Sequence, residues 1–181
     1  MMAGLGTSLE GFIPRSLAKS VKDKDLTPIY YSVRVPLILS GPGIPSQQRT
    51  DAFCFLYDIF PTLCPLTNLP APDSVEGRSL CPAIEDPQTP IRDVLHFAYK
   101  DVQRGVRKGR HKLIDYAVGG TRTTQLFDLD SDPLELNDLA DDPEYRDLVA
   151  GMREELHRWR TELGHTQEMG VRFWEVPSDV R

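Results

Sequence analysis

Between residues 100 and 112 the chain gathers Lys100, Arg104, Arg107, Lys108, Arg110, His111 and Lys112. Guanidinium groups bind oxyanions through paired N–H donors, so this run suits an anionic ligand such as a sulfated sugar. If the run forms a hairpin, alternation puts only some of these side chains on one face. Arg104 and Lys108 share a parity and are the first candidates for an anion-facing side, with Arg107 as the third substrate-binding candidate. Two other readings fit the same residues: a solubilising turn offset by nearby acids, or a nucleic-acid contact. The net charge of −6 weighs against nucleic acid, because neutralising phosphates requires a basic face.

Other constellations fall short of their chemistry. Asp128-Leu129-Asp130-Ser131-Asp132 opens like a calcium loop, which needs glycine at its sixth position and glutamate at its twelfth. Those positions hold Pro133 and Leu139, so a solvated turn is the better account. His96, His111, His157 and His165 lack the short spacing of zinc ligands, and His157 reads as a surface residue. Cys54, Cys64 and Cys81 are odd in number and without metal spacing, which fits buried or idle thiols. A Gly-x-Ser-x-Gly elbow, a phosphate-binding P-loop and a dinucleotide fingerprint are all missing from the sequence.

The elements that must carry these residues can be read from period and punctuation. With 40% apolar residues in 181, the chain can build a packed core, and no apolar run is long enough to span a membrane. Residues 1–11 lack the basic start and continuous apolar stretch of a signal peptide. Lys19, Lys22 and Lys24, alternating with Asp23 and Asp25, read as solvated loop or frayed helix. Val33 to Ser40 reads as a strand covered on both faces, with Pro36 at an edge or start and Gly41-Pro42-Gly43 ending it. A short helix is expected from about Leu56 to Thr67, kinked or stopped early by Pro65. Residues 69–90 read as a surface connector rich in proline and acid. Strands are then expected at Val94–Tyr99, Val102–Val106, His111–Tyr116 and Thr123–Leu129, with a hairpin turn at Lys108-Gly109. Asp142-Pro143-Glu144 starts a helix whose stripe is Tyr145, Leu148, Val149, Met152, Leu156, Trp159 and Leu163, closed by Gly164. Residues 165–181 read as an extended tail anchored by Phe173 and Trp174 or as a partly disordered end.

Several segments, in order, resemble the C-terminal part of the type I sulfatases, in the alkaline-phosphatase-like superfamily. They are the run from Val33 to Pro45, Tyr57-Asp58-Ile59-Phe60-Pro61-Thr62-Leu63, and Glu76-Gly77-Arg78-Ser79-Leu80. Val106-Arg107-Lys108-Gly109-Arg110-His111-Lys112-Leu113-Ile114 is similar to the family's hairpin, and Gln125 to Ala140 to its "LFDL…DP-x-E-x-x-NLA" segment. The resemblance covers about residues 32–164 and implies an α/β fold (α+β in this segment). In it, the last strand and helix of a large sheet precede a small four-stranded antiparallel sheet packed by a C-terminal helix. The implied pieces are a divergent segment 1–31, the end of the α/β domain with its connector at 32–90, the small subdomain at 91–164 and a tail at 165–181.

The resemblance also implies sulfate-ester hydrolysis with calcium and a formylglycine made from Cys or Ser in Cys/Ser-x-Pro-x-Arg, but only in a complete family member. Here Cys54 precedes Phe-Leu, Cys64 precedes Pro-Leu and Cys81 precedes Pro-Ala, so no cysteine begins that motif. The family's paired Asp ligands and Asp-His-Gly segment have no counterpart, and Asp25, with Lys24 beside it, stands where a sulfate-touching lysine is expected. No catalytic residue, metal ligand or cofactor is therefore assigned to this chain. The readings left open are a fragment, a degenerate paralogue kept for binding sulfated glycans or other anions, and a chain that pairs with an upstream sulfatase portion or an oligomer. Neither nucleic acid nor membrane is expected as a partner.

Overall fold

The computed structural model describes residues 35–162 and 173–177. The chain forms two compact units, 1–40 and 41–181. The expected loop around Lys19, Lys22 and Lys24, the positions Asp25, Val33 and Arg34, the closing Gly164, His165 and most of the tail lie outside the described residues. In the first unit, residues 35–40 carry no helix or strand, and Val35, Leu37 and Ile38 are exposed. The strand expected over Val33–Ser40 thus has no ladder among the described residues. A lone extended segment has no neighbour to accept and donate its strand hydrogen bonds.

The second unit opens with a 3-10 turn, Leu56–Asp58, that leads into helix α1, Ile59–Leu66. Pro61 sits in the first turn, where its missing N–H is harmless. Pro65 lies one residue from the end, so the helix does stop early. Asn68 takes a positive φ of 58°, and the Leu69 N–H returns to the Cys64 carbonyl at 2.8 Å, closing the end. Within the connector a five-residue helix, α2, spans Cys81–Glu85, with proline in its first turn. That helix was not foreseen, being too short to show a period.

Asp58 ties these pieces together. Its carboxylate is fully buried and pairs with the Arg92 guanidinium, whose Nη2 donates to Oδ1 at 2.9 Å. The same carboxylate accepts from the Phe55 N–H at 2.6 Å and from the Arg78 N–H at 2.8 Å. Thr62 extends the knot. Its hydroxyl donates to the Asp58 carbonyl at 2.6 Å and accepts from the Leu80 N–H at 2.8 Å. A buried carboxylate is tolerable because every lone pair in reach meets a donor and a cation balances its charge. Gly77 allows the strap to pass: a Cβ there would meet the Tyr57 carbonyl oxygen at 2.5 Å.

Beyond Arg92 comes an antiparallel sheet in the order β1-β2-β3-β4: β1 Val94–Tyr99, β2 Gln103–Lys108, β3 His111–Val118 and β4 Thr121–Asp128. The β3–β4 turn is Gly119-Gly120, both at positive φ, as a tight two-residue hairpin turn requires. The register pairs Val106 with Leu113 and Leu113 with Leu126, so these three share one face. Helix α3, Arg146–Glu162, lays Val149, Met152 and Leu156 on that face, with Leu148 and Trp159 beside them. Each fully buried aliphatic of this kind contributes about 1.5–3 kcal/mol. The Asp142 carboxylate accepts from the Glu144 N–H at 2.9 Å and starts the Pro143–Tyr145 turn that feeds the helix.

Two expectations follow. Gly77→Ala should destabilise the chain by about 1–3 kcal/mol in urea unfolding, since backbone cannot yield as a side chain does. Gly151→Ala, in α3 with open space around it, should instead stabilise by up to about 1 kcal/mol. For Asp58, burial pushes the carboxyl up, but the Arg92 guanidinium and the Phe55 and Arg78 N–H groups outweigh it and hold the pKa below the usual value. A lowered folded pKa gives stability that is complete above the unfolded value of about 3.9 and is lost as pH falls through the folded one. Asp58→Asn should cost about 3–5 kcal/mol at pH 7. It should also remove this share of the acid-side slope in a series of unfolding curves from neutral pH downward.

Candidate functional site

The basic run does form a hairpin, with Gly109 at φ 56° in the two-residue turn between β2 and β3. It does not present one cationic tip. Lys108 and Arg110 are exposed, and Arg110 Nη2 lies 3.4 Å from the Asp128 carboxylate. Lys112 is buried and donates to both carboxylate oxygens of Glu135, at 2.7 and 2.9 Å. Arg107 stacks over the Phe53 ring at 4.9 Å, and its Nε donates to the Gly109 carbonyl at 3.2 Å. Strand parity puts Arg104 and Lys108 on the α3 face and Arg107 on the other. Four residues of strand separate Arg104 from Lys108 by about 13 Å, too far to grip one small anion together.

Arg104 is the unusual member. Only 2% of it is exposed, and its Nη1 donates to the Lys100 and Gln103 carbonyls at 2.7 Å each. Its guanidinium lies over the Phe173 ring at 4.7 Å, and Arg122 lies over the same ring at 4.8 Å. Arg122 Nη2 donates to the Phe173 carbonyl at 2.7 Å, while Trp174 meets both Arg122 and Arg160. Phe173 is fully buried against the sheet, and residues 173–175 are helical rather than the extended tail expected. Burial pushes the pKa of Arg104 and of Arg122 below the ordinary arginine value. On the same face Asp115 stands opposite Arg104 and opposite Thr124 in the register. Its carboxylate accepts from the Thr124 hydroxyl at 2.7 Å, and Arg153 donates to that hydroxyl. Arg104 was a sequence candidate; Arg122, Arg153 and Phe173 were not foreseen as its neighbours. Strand register alone could have placed Asp115 and Thr124 beside it.

The remaining titratable groups serve the fold. His96 stacks flat on Trp159 with 4.9 Å between rings, and its Nε2 is 3.8 Å from Glu155. Burial lowers its pKa despite Glu155 and Glu162. His157 is exposed, as its helical position implied. Asp128 and Asp132 spend their carboxylates on the N–H groups of Asp130 and Asn137 within their own loop. Among the described residues no group of three or more His, Cys, Asp or Glu is placed to hold a metal ion.

Residues 23–162 match the family described as N-sulphoglucosamine sulphohydrolase, C-terminal. The chain belongs to this family of sulfatase C-terminal regions, and its small sheet with packed helix is the family's architecture. Arylsulfatase K of Gallus gallus is 34% identical over 121 residues, which is 60% of this chain and 23% of that protein. An arylsulfatase of Clostridium perfringens is 32% identical over 129 residues, 67% of this chain and 26% of that one. A solved structure from Bacteroides thetaiotaomicron, titled as a candidate sulfatase, matches with a TM-score of 0.50 at 30% identity. It covers 67% of this chain and 26% of that one. The chain thus spans between 23% and 26% of the length of these relatives.

The geometry separates the sequence candidates by what each removal should do. Arg104→Ala would leave two carbonyls without their donor and uncover Phe173, at a cost of about 1–3 kcal/mol. Lys108→Ala, exposed at the strand end, should stay within about 0.5 kcal/mol of the parent. Thermal unfolding followed by circular dichroism compares the two directly.

Proposed function

We propose that this chain acts as the C-terminal part of a sulfate-ester hydrolase and supplies neither its nucleophile nor its metal ligands. The observation that carries this reading is an uncovered apolar face in a chain that matches a quarter of a sulfatase. Leu56, Phe60 and Leu63 recur at helical spacing and are 64%, 54% and 45% exposed, with Tyr57 beside them. A contiguous apolar face of this kind calls for a cover, and the catalytic portion of the sulfatase fold is the occupant proposed here. Calcium and formylglycine do not fit the described residues. Asp58 and Glu135 are committed to cations, and none of the three cysteines is followed by the x-Pro-x-Arg needed for oxidation. In this reading both groups belong to the covering portion.

A noncatalytic module that holds sulfated glycans or other anions is the second reading. Arg104, Arg107 and Lys108 are its sequence candidates, and the arginine-rich face of the sheet is what favours it. An aryl sulfate assay with calcium tests both, on this chain and on the chain extended by the adjoining upstream coding region. Activity in the extended protein alone supports the first reading, and its loss with Phe60→Glu locates the covered face. Turnover by the 181-residue chain would overturn it. Silence in both proteins shifts the weight to the binding module.

A further inference from the structure

Helix α3 meets the edge strand β1 mainly through one side chain. Among the described residues β1 ends the sheet order, and strand parity puts Val94, His96 and Ala98 on the α3 face. Val94 is half-buried and Ala98 is exposed, so the ring of His96 is what spans the gap. It lies flat on Trp159, with ring centroids 4.9 Å apart and planes 6° from parallel. Its Nε2 is buried and has no hydrogen-bond partner. Glu155 Oε1 stands 3.8 Å away, beyond hydrogen-bond reach, and Arg158 holds Glu155 Oε2 at 2.7 Å. A neutral imidazole suits this seat, because it stacks on the indole and carries no charge to solvate. An imidazolium does not suit it: its Nε2 proton has no acceptor in reach, water is excluded, and Arg158 adds a like charge. The charged groups that face the ring from α3 are Glu155, Arg158 and Glu162. On β2, Arg104 and Lys108 flank its register partner Val106 on the same face. Arg104 is turned to the Lys100 and Gln103 carbonyls and to Phe173, and Lys108 is exposed. Burial outweighs Glu155 and Glu162 and keeps the ring neutral below the pH at which a free imidazole would charge.

We propose that His96 is an acid-operated release between β1 and α3. While neutral, its ring holds Trp159, and with it the last turn of the helix, against the edge strand. Uptake of one solvent proton places a cation in that dry contact, and the Trp159 end of α3 moves off β1 to let water reach it. The earlier turns stay, because Val149 and Met152 pack with Val106, Leu113 and Leu126. The sign follows from linkage. The unfolded chain takes up this proton at about pH 6.5 and the folded chain only at lower pH. Stability is therefore full above that value and declines as pH falls toward the folded one. The device needs only β1 and α3, so it stands apart from the chain's role in sulfate-ester hydrolysis.

The test uses the full chain with Trp174→Phe, in which Trp159 is the single tryptophan. Its emission is followed from about pH 8 to about pH 5, beside urea unfolding and amide hydrogen exchange over the same range. An imidazolium stacked on an indole quenches its emission, so the expected result is one quenching step with a midpoint below about 6.5. Glu155→Gln should move that midpoint down. Arg158→Gln, which changes a side chain that is 63% exposed, should move it up. The urea midpoint should fall more steeply with acid than in His96→Phe, which keeps a ring on Trp159 and binds no proton. At the acid end, exchange should quicken in the last turn of α3 and not around Val149, and only where His96 is present. A quenching step that survives in His96→Phe, a midpoint at or above about 6.5, or equal acid slopes in the two proteins overturns the device. Even loosening along the whole of α3 does the same. If His96→Phe does not fold, Arg158→Gln decides the matter: a midpoint that fails to rise sinks the proposal.

Discussion

The buried pair of Asp58 and Arg92 is the constraint on which the rest of the second unit depends. It joins residues 34 apart, and the same carboxylate also holds the N–H groups of Phe55 and Arg78. One side chain therefore fixes the start of α1, the strap through Gly77 and the segment that enters β1. Arg92 is locked in turn by the Phe55 ring under its guanidinium. Breaking such a pair leaves an uncompensated charge in a dry site, so its geometry cannot drift while the core stays packed. The sheet begins two residues after Arg92, and its position relative to α1 is set there.

The sheet itself divides its polar residues by parity. On the α3 face lie His96, Arg104, Asp115 and Thr124, each against an aromatic ring or another polar group. On the other face Lys112 is satisfied by Glu135, and Gln103, Ile114 and Tyr116 are buried. Both faces are therefore dry, which is why so many charged residues here are paired or stacked. Burial pushes the Tyr116 hydroxyl well above its ordinary value, as expected for a phenol kept from water with Glu135 and Asp138 nearby.

Much of this was legible in the sequence because local physics decided it. The stripe Val149, Met152, Leu156 could pack only as a helix, and Asp142-Pro143 marked its start. Lys108-Gly109 marked the β2–β3 hairpin, whose turn falls one residue on at Gly109-Arg110. The early end of α1 followed from Pro65. β1 fell where expected, and β2, β3 and β4 shifted at one or both ends by a residue or two, as ladder ends do. What stayed hidden was long-range. Nothing in the spacing ties Asp58 to Arg92 or Lys112 to Glu135. The basic run looked like an exposed tip because charge usually seeks water, yet Phe173, about seventy residues later, covers Arg104. The resemblance to the sulfatases supplied the family, and its motifs mark the knot and the hairpin.

Among the described residues the sheet order β1-β2-β3-β4 follows the chain order, each strand pairing with its sequence neighbours. Its ladders close by short loops, so little chain entropy is lost before each pairing is formed. A nascent chain can zip this meander one hairpin at a time as it leaves the ribosome. The seal comes last: α3 follows β4 and is the element that covers Val106, Leu113 and Leu126. Until it emerges, the half-made sheet leaves Val106, Leu113 and Leu126 open to water. The interval between synthesis of β4 and of α3 is therefore when this protein is most exposed to misassociation and to capture by chaperones.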